Sequence, residues 1–209
     1  MRAGIVASSG MESPLVGTYC TYLYSSTTGD TIDTDVAISA EPGRYTVILA
    51  VAYRGGMSEV KINSLDAESL YSVEGATNYG VQFYRQENVY IDGALPIRLV
   101  GNRSVVGIWL LRGGEGVVVA TTSDTTNGSF KSITLPSLRS GDFVIVARSA
   151  RQDPASVTFS PPTRRYQLRP YINTSGAGAD ATVTTDGNYS ISSLASGTES
   201  SVLAGIAFR

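Results

Sequence analysis

The sequence predicts an all-β protein built from two tandem antiparallel β-sandwich units, jelly-roll-like and related by internal duplication. Three observations carry this reading. Apolar runs are short and rich in β-branched and aromatic residues. Gly, Asn, Asp or Ser bounds them, which suits tight turns. Two strand pairs recur at a fixed spacing.

Taken in order, strands are expected at 16–24, 45–53, 59–62, 81–85, 89–91, 97–100 and 105–111 in the first half. In the second half they are expected at 117–121, 130–135, 143–148, 157–160, 166–172, 181–184 and 202–208. The run 45–53 is apolar on both parities: Tyr45, Val47, Leu49 and Val51 alternate with Ile48, Ala50 and Ala52. Such a strand belongs in a sheet covered on both faces, or at an interface. Asp92-Gly93, Asn127-Gly128 and Asp186-Gly187 mark turns, because these residues tolerate positive φ.

The repeat aligns Gly43, Tyr45, Val47 and Ile48 with Gly141, Phe143, Ile145 and Val146. It also aligns Gly107-Ile108 with Gly205-Ile206 near the end of each half, again at an offset of 98. A glycine inside such a strand suggests a bulge or a close crossing. The expected organisation is an N-terminal arm and attachment strand at 1–30, a first sandwich at 31–113 and a second at 114–209, with a linker at 112–116. Val47, Ile108, Trp109, Ile206 and Phe208 are the expected core.

Composition excludes several classes. With no histidine, His triads, His bases and most common zinc sites are unavailable. Charged residues make up 16%, below the usual quarter, and net charge is −2, which gives no pull toward nucleic acid or anionic membrane. Residues 1–10 lack the apolar stretch of a secretory signal, and no run approaches the ~18 apolar residues of a spanning helix. Folding in a cytoplasm, without membrane insertion, is expected. Cys20 has no partner for a disulfide and no neighbouring cation to activate it, so it reads as a small packed residue.

At Tyr45–Arg54, the following Gly55-Gly56 turn, and the closing strands 106–111 and 204–209, the chain resembles small tandem β-sandwich virion proteins. These belong to alphaproteobacterial phages, prophages and gene transfer agents. The resemblance spans most of 43–209. It implies a non-enzymatic virion surface part, of head spike, decoration or tail-tip type, with no cofactor. It also implies assembly with other virion proteins and as a homo-oligomer, after synthesis in a host cytoplasm, with contact to the host surface.

A second reading is a carbohydrate-binding module for cell-surface polysaccharide. Tyr79, Phe83, Tyr84 and Tyr90, among Asn78, Gln82 and Asn88, are the residues that would stack on sugars, although aromatics also serve as ordinary strand filling. Tyr19, Tyr22 and Tyr24 are the expected assembly residues. Their strand either pairs with another chain or completes the edge of the first sandwich. Asp30, Asp33 and Asp35 offer oxygen ligands for Ca²⁺, but the loop glycine and distal glutamate of an EF-hand are missing. A solvated turn is the simpler expectation, and no metal or catalytic residue is assigned.

Overall fold

Short apolar runs, alternating or continuous, draw most of the described residues into strands. The computed structural model describes residues 15–24, 30–75, 77–113, 116–151, 156–171, 174–197 and 200–209. Among them there is no helix. The first half contributes β1 (Val16–Tyr24), β2 (Asp30–Ala37), β3 (Gly43–Arg54), β4 (Met57–Ile62), β5 (Leu65–Asp66), β6 (Glu68–Glu74), β7 (Tyr79–Ile91), β8 (Ala94–Gly101) and β9 (Ser104–Arg112). The second contributes β10 (Val118–Asp124), β11 (Phe130–Leu138), β12 (Phe143–Ala150), β13 (Val157–Ser160), β14 (Thr163–Tyr171), β15 (Thr174–Thr182), β16 (Gly187–Ala195) and β17 (Ser201–Phe208).

Pairing is nested. In the first unit β1 joins β9, β2 joins β8 and β3 joins β7; in the second β10 joins β17, β11 joins β16 and β12 joins β15. All these pairs are antiparallel, and rolling up such a nested ribbon gives a jelly roll. Each unit has an inner sheet, ordered β1-β9-β3-β7-β6 or β10-β17-β12-β15-β14. Each also has an outer sheet, ordered β2-β8-β4-β5 or β11-β16-β13. The two units therefore share one strand order.

The molecule has four layers. Val47, Leu49, Val51, Val106 and Ile108 of the first inner sheet pack on Ile62, Leu95, Ile97 and Leu99 of its outer sheet. Val144, Val146, Leu203 and Ala207 pack on Ile133, Leu135 and Ile191 in the second unit. Between the two inner sheets lies a third apolar layer, with Ile48, Ala50, Phe83 and Trp109 on one side and Phe143, Ile145, Ala147, Ile206 and Phe208 on the other. Strands apolar on both parities are the inner-sheet strands, buried on both faces.

The register corrects the repeat. Ile48 pairs with Trp109, and Ile145 pairs with Ile206, which sets the equivalence at 97 residues rather than 98. A slip of one residue flips every side chain to the other face of a sheet. Val47 accordingly faces its own sandwich core, whereas Ile145, its match at 98, faces the other unit. Gly107 and Gly205 likewise lie on opposite faces: a Cβ on Gly107 would meet the Tyr166 ring at 2.3 Å, one on Gly205 would meet Ile133 at 3.0 Å.

Two further expectations change. Val16–Tyr24 is β1, paired with β9; of the two placements expected for it, the strand takes the edge of the first inner sheet, and a boundary at residue 30 parts it from that sheet. The aspartate segment is not a turn but strand β2. Strands β2, β5, β6 and β16 are additional, 81–85 and 89–91 are one strand, β7, and β15 runs over 174–182 where only 181–184 was expected. β15 reads Thr-Ser-Gly-Ala-Gly-Ala-Asp-Ala-Thr, with no large side chain to signal a strand, because it is pressed against its neighbours.

Candidate binding cleft

A bulge in β7 borders an open cleft of about 780 Å³. Tyr45 pairs with Val89 but Val47 with Gln86, so the residues between bulge out of the ladder. Asn88 takes a positive φ of 58° there. The bulge turns Glu87 and Asn88 into the cleft beside Arg44, Arg85, Glu68 and Ser69.

Arg85 organises one wall. Its Nε and Nη2 donate to Glu68 Oε2 at 3.0 and 2.7 Å, and its Nη1 lies 2.9 Å from Glu87 Oε1. On the other side, Arg44 Nη1 donates to the Asn88 carbonyl at 3.0 Å and to Asn88 Oδ1 at 3.2 Å. Tyr90 stands directly across from Arg44 in the ladder, and its side chain is 57% exposed. The cleft lining offers fixed donors and acceptors, and the exposed Tyr90 ring stands outside that lining, across the ladder from Arg44.

Of the four residues expected to stack on sugars, only Tyr90 keeps an open ring. Tyr79 and Phe83 are 1% and 0% exposed and Tyr84 is buried, so none offers a free face. Phe83 fills the layer between units and Tyr84 the first sandwich core. Arg44, Arg85, Glu68, Glu87 and Ser69 escaped notice because the pairing of β3, β6 and β7, with the β7 bulge at Glu87, gathers them rather than any motif.

The expected assembly residues divide. Tyr19 packs edge-on to Trp109 at 5.3 Å and stacks on Tyr166 at 6.0 Å, and burial pushes its hydroxyl well above the usual tyrosine range. Tyr22 lies 5.9 Å from the Tyr166 ring and is partly exposed, and Tyr24 is more exposed still. Cys20 packs against the first core, where burial pushes its thiol up to about 11. Asp33 is bound to Arg98 at 2.6 Å, and Arg98 also donates to Glu59 at 2.8 Å. Asp35 is exposed, and the side chain of Asp30 lies outside the described residues. Among the described residues, no three His, Cys, Asp or Glu side chains cluster as a metal site.

Fold and cleft together define a tandem jelly-roll protein. Compared with protein-family models, curated proteins and solved structures, the chain matches none.

Proposed function

We propose that the protein is a non-enzymatic structural component of a phage-type virion surface, a capsid spike, decoration or tail part. The observation that carries this reading is the organisation of charge. Asp180, Asp142 and Asp124, the carboxylates drawn into the second unit, are each engaged by Arg165, Arg209 or Lys131. In the cleft, Glu68 and Glu87 share Arg85. Ion pairs that brace a four-layer block support a structural role. Jelly rolls are common in viral capsid domains, an analogy of fold that favours the same reading. Its partners are then other virion proteins and further copies of itself. The test is gold-labelled antibody on particles in electron microscopy. Label on particles is the expected result; label confined to the soluble fraction of a lysate overturns the proposal.

A second reading is favoured by Tyr90 beside Arg44: the cleft binds polysaccharide at a host surface. Jelly rolls also serve as lectin domains. Calorimetry with purified host polysaccharide tests it. Heat of binding that disappears in Tyr90→Ala supports it, and no heat with the unaltered protein rejects it.

A further inference from the structure

The two units meet as equivalents. Strand β3 lies over β12, and these occupy the same place in their units. Strand β9 lies over β15 as β17 lies over β7, and β1 meets β14 as β10 meets β6. Exchanging the units leaves this set of facing strands unchanged, which is how an isologous twofold interface behaves.

Side chains follow the same rule. Ile48 and Ala50 correspond to Ile145 and Ala147 at an offset of 97, and all four lie in the shared layer. The β6–β7 pair corresponds to β14–β15 at an offset of 95: Glu68 pairs with Arg85 and Thr163 with Asp180. Both pairs carry a bulge at the same place, between Ser69 and Tyr71 and between Arg164 and Tyr166. The two equivalent tyrosines reach the opposite unit's lead strand. Tyr71 Oη donates to Ser123 Oγ of β10 at 3.0 Å, and Tyr166 packs on Tyr19 and Tyr22 of β1. Val105 approaches Gly176, with 2.6 Å to where a Cβ would sit, and the equivalents Val202 and Val81 share the same cluster.

We infer that the inner face of each unit is a homodimerisation surface that the chain has internalised. The partner it fits is a second copy of the unit, and burial of the shared layer holds the units together independently of the linker. The differences are local: Trp109 and Phe83 stand where the second unit has Ile206 and Gly178.

A protease recognition sequence inserted at 113–116 of the full chain tests this. After cleavage the protein should still elute as one particle of 22.0 kDa with an unchanged circular dichroism spectrum, and part only in denaturant. Halves that separate on cleavage, or that lose β signal or precipitate, show that the linker held them and overturn the inference. Ala50→Glu and Ala147→Glu, placed singly in the cleavable chain, test the symmetry. Each should release the halves to a similar degree. Release by only one, or by neither, overturns the twofold relation. Should glutamate unfold the uncleaved chain, Ala50→Ser and Ala147→Ser give the same comparison, read as the denaturant concentration at which the nicked halves part.

Discussion

Trp109 donates its indole N–H to Asp180 Oδ2 at 2.7 Å, a buried hydrogen bond joining the two units. Arg165 adds two more donors to the same carboxylate, at 2.8 and 2.7 Å. The indole is fully buried. Trp109→Ala should therefore cost about 3–5 kcal/mol of stability. Trp109→Phe keeps most of the packing but removes the donor, and should cost roughly 1–3 kcal/mol. Urea unfolding midpoints of the two variants measure both.

Tyr166 lies across two glycines. A Cβ on Gly107 or Gly178 would stand 2.3 or 2.4 Å from its ring. Gly107→Ala and Gly178→Ala should each cost roughly 1–3 kcal/mol through overpacking. Gly205→Ala meets only the mobile end of Ile133 and should cost less. A Cβ on Gly178 meets only the Tyr166 ring, so combining Gly178→Ala with Tyr166→Leu should cost less than the sum of the two; additive midpoints would show that Tyr166 is not the obstacle.

Acid should loosen the second unit through Asp142. Burial alone would raise its carboxyl pKa, but the Arg209 guanidinium and the Arg139 N–H outweigh that and hold it below its ordinary value of 3.8. A carboxyl lowered by folding stabilises above its unfolded pKa, and this stability is lost as pH falls through the folded value. Stability should decline as pH drops below 3.8, and Asp142→Asn should flatten that decline while lowering stability at pH 7. Thermal melts across pH 2–7 provide the check.

Arg148 is a buried guanidinium that caps one end of the second sandwich. It donates to the Ser193 and Ser129 carbonyls at 3.0 and 2.8 Å and to Ser193 Oγ and Ser201 Oγ at 3.1 Å each. Burial draws its pKa down to about 10. A lysine has one nitrogen and cannot span these acceptors. Arg148→Lys should cost about 3 kcal/mol or more, because several buried acceptors lose their donor. A denaturation midpoint within error of the unaltered protein would contradict this.

Removing β1 should damage the first unit. It covers the edge of β9 and places Tyr19 against Trp109. A chain starting at residue 28 should lose cooperative unfolding by calorimetry. If it stays cooperatively folded, β1 is dispensable to the core.

The all-β class and the inner sheets were legible because burial on both faces leaves a mark in the sequence, as in Tyr45–Arg54. Strand β15 was not, since a strand pressed between neighbours is built from small residues that signal a loop. The expected 98-residue offset misses the ladder register, which relates the two inner sheets at 97, by one position. Matching glycines in Gly107-Ile108 and Gly205-Ile206 outweighed the parity of Val47 and Ile145, and parity is what a sheet enforces. Tyr79, Phe83 and Tyr84 illustrate a related limit: composition places aromatics in strands but does not say which face is covered. Arg44, Glu68 and Arg85 lie on separate strands and come together only through strand pairing, with Glu68 opposite Arg85 in the β6–β7 ladder.

Nested pairing also fixes an order of events during chain synthesis. β9 sits between β1 and β3, yet it is made after every other strand of its unit, and β17 stands in the same relation to β10 and β12. Until β9 emerges, the first inner sheet exists as two separated pieces with bare backbone edges, and Ile48 and Ala50 have no facing unit. Such edges and faces attract other chains. Slow emergence of β17 should therefore favour pairing between nascent chains over completion within one, and the growing polypeptide is the stage at which this β protein is most vulnerable to aggregation.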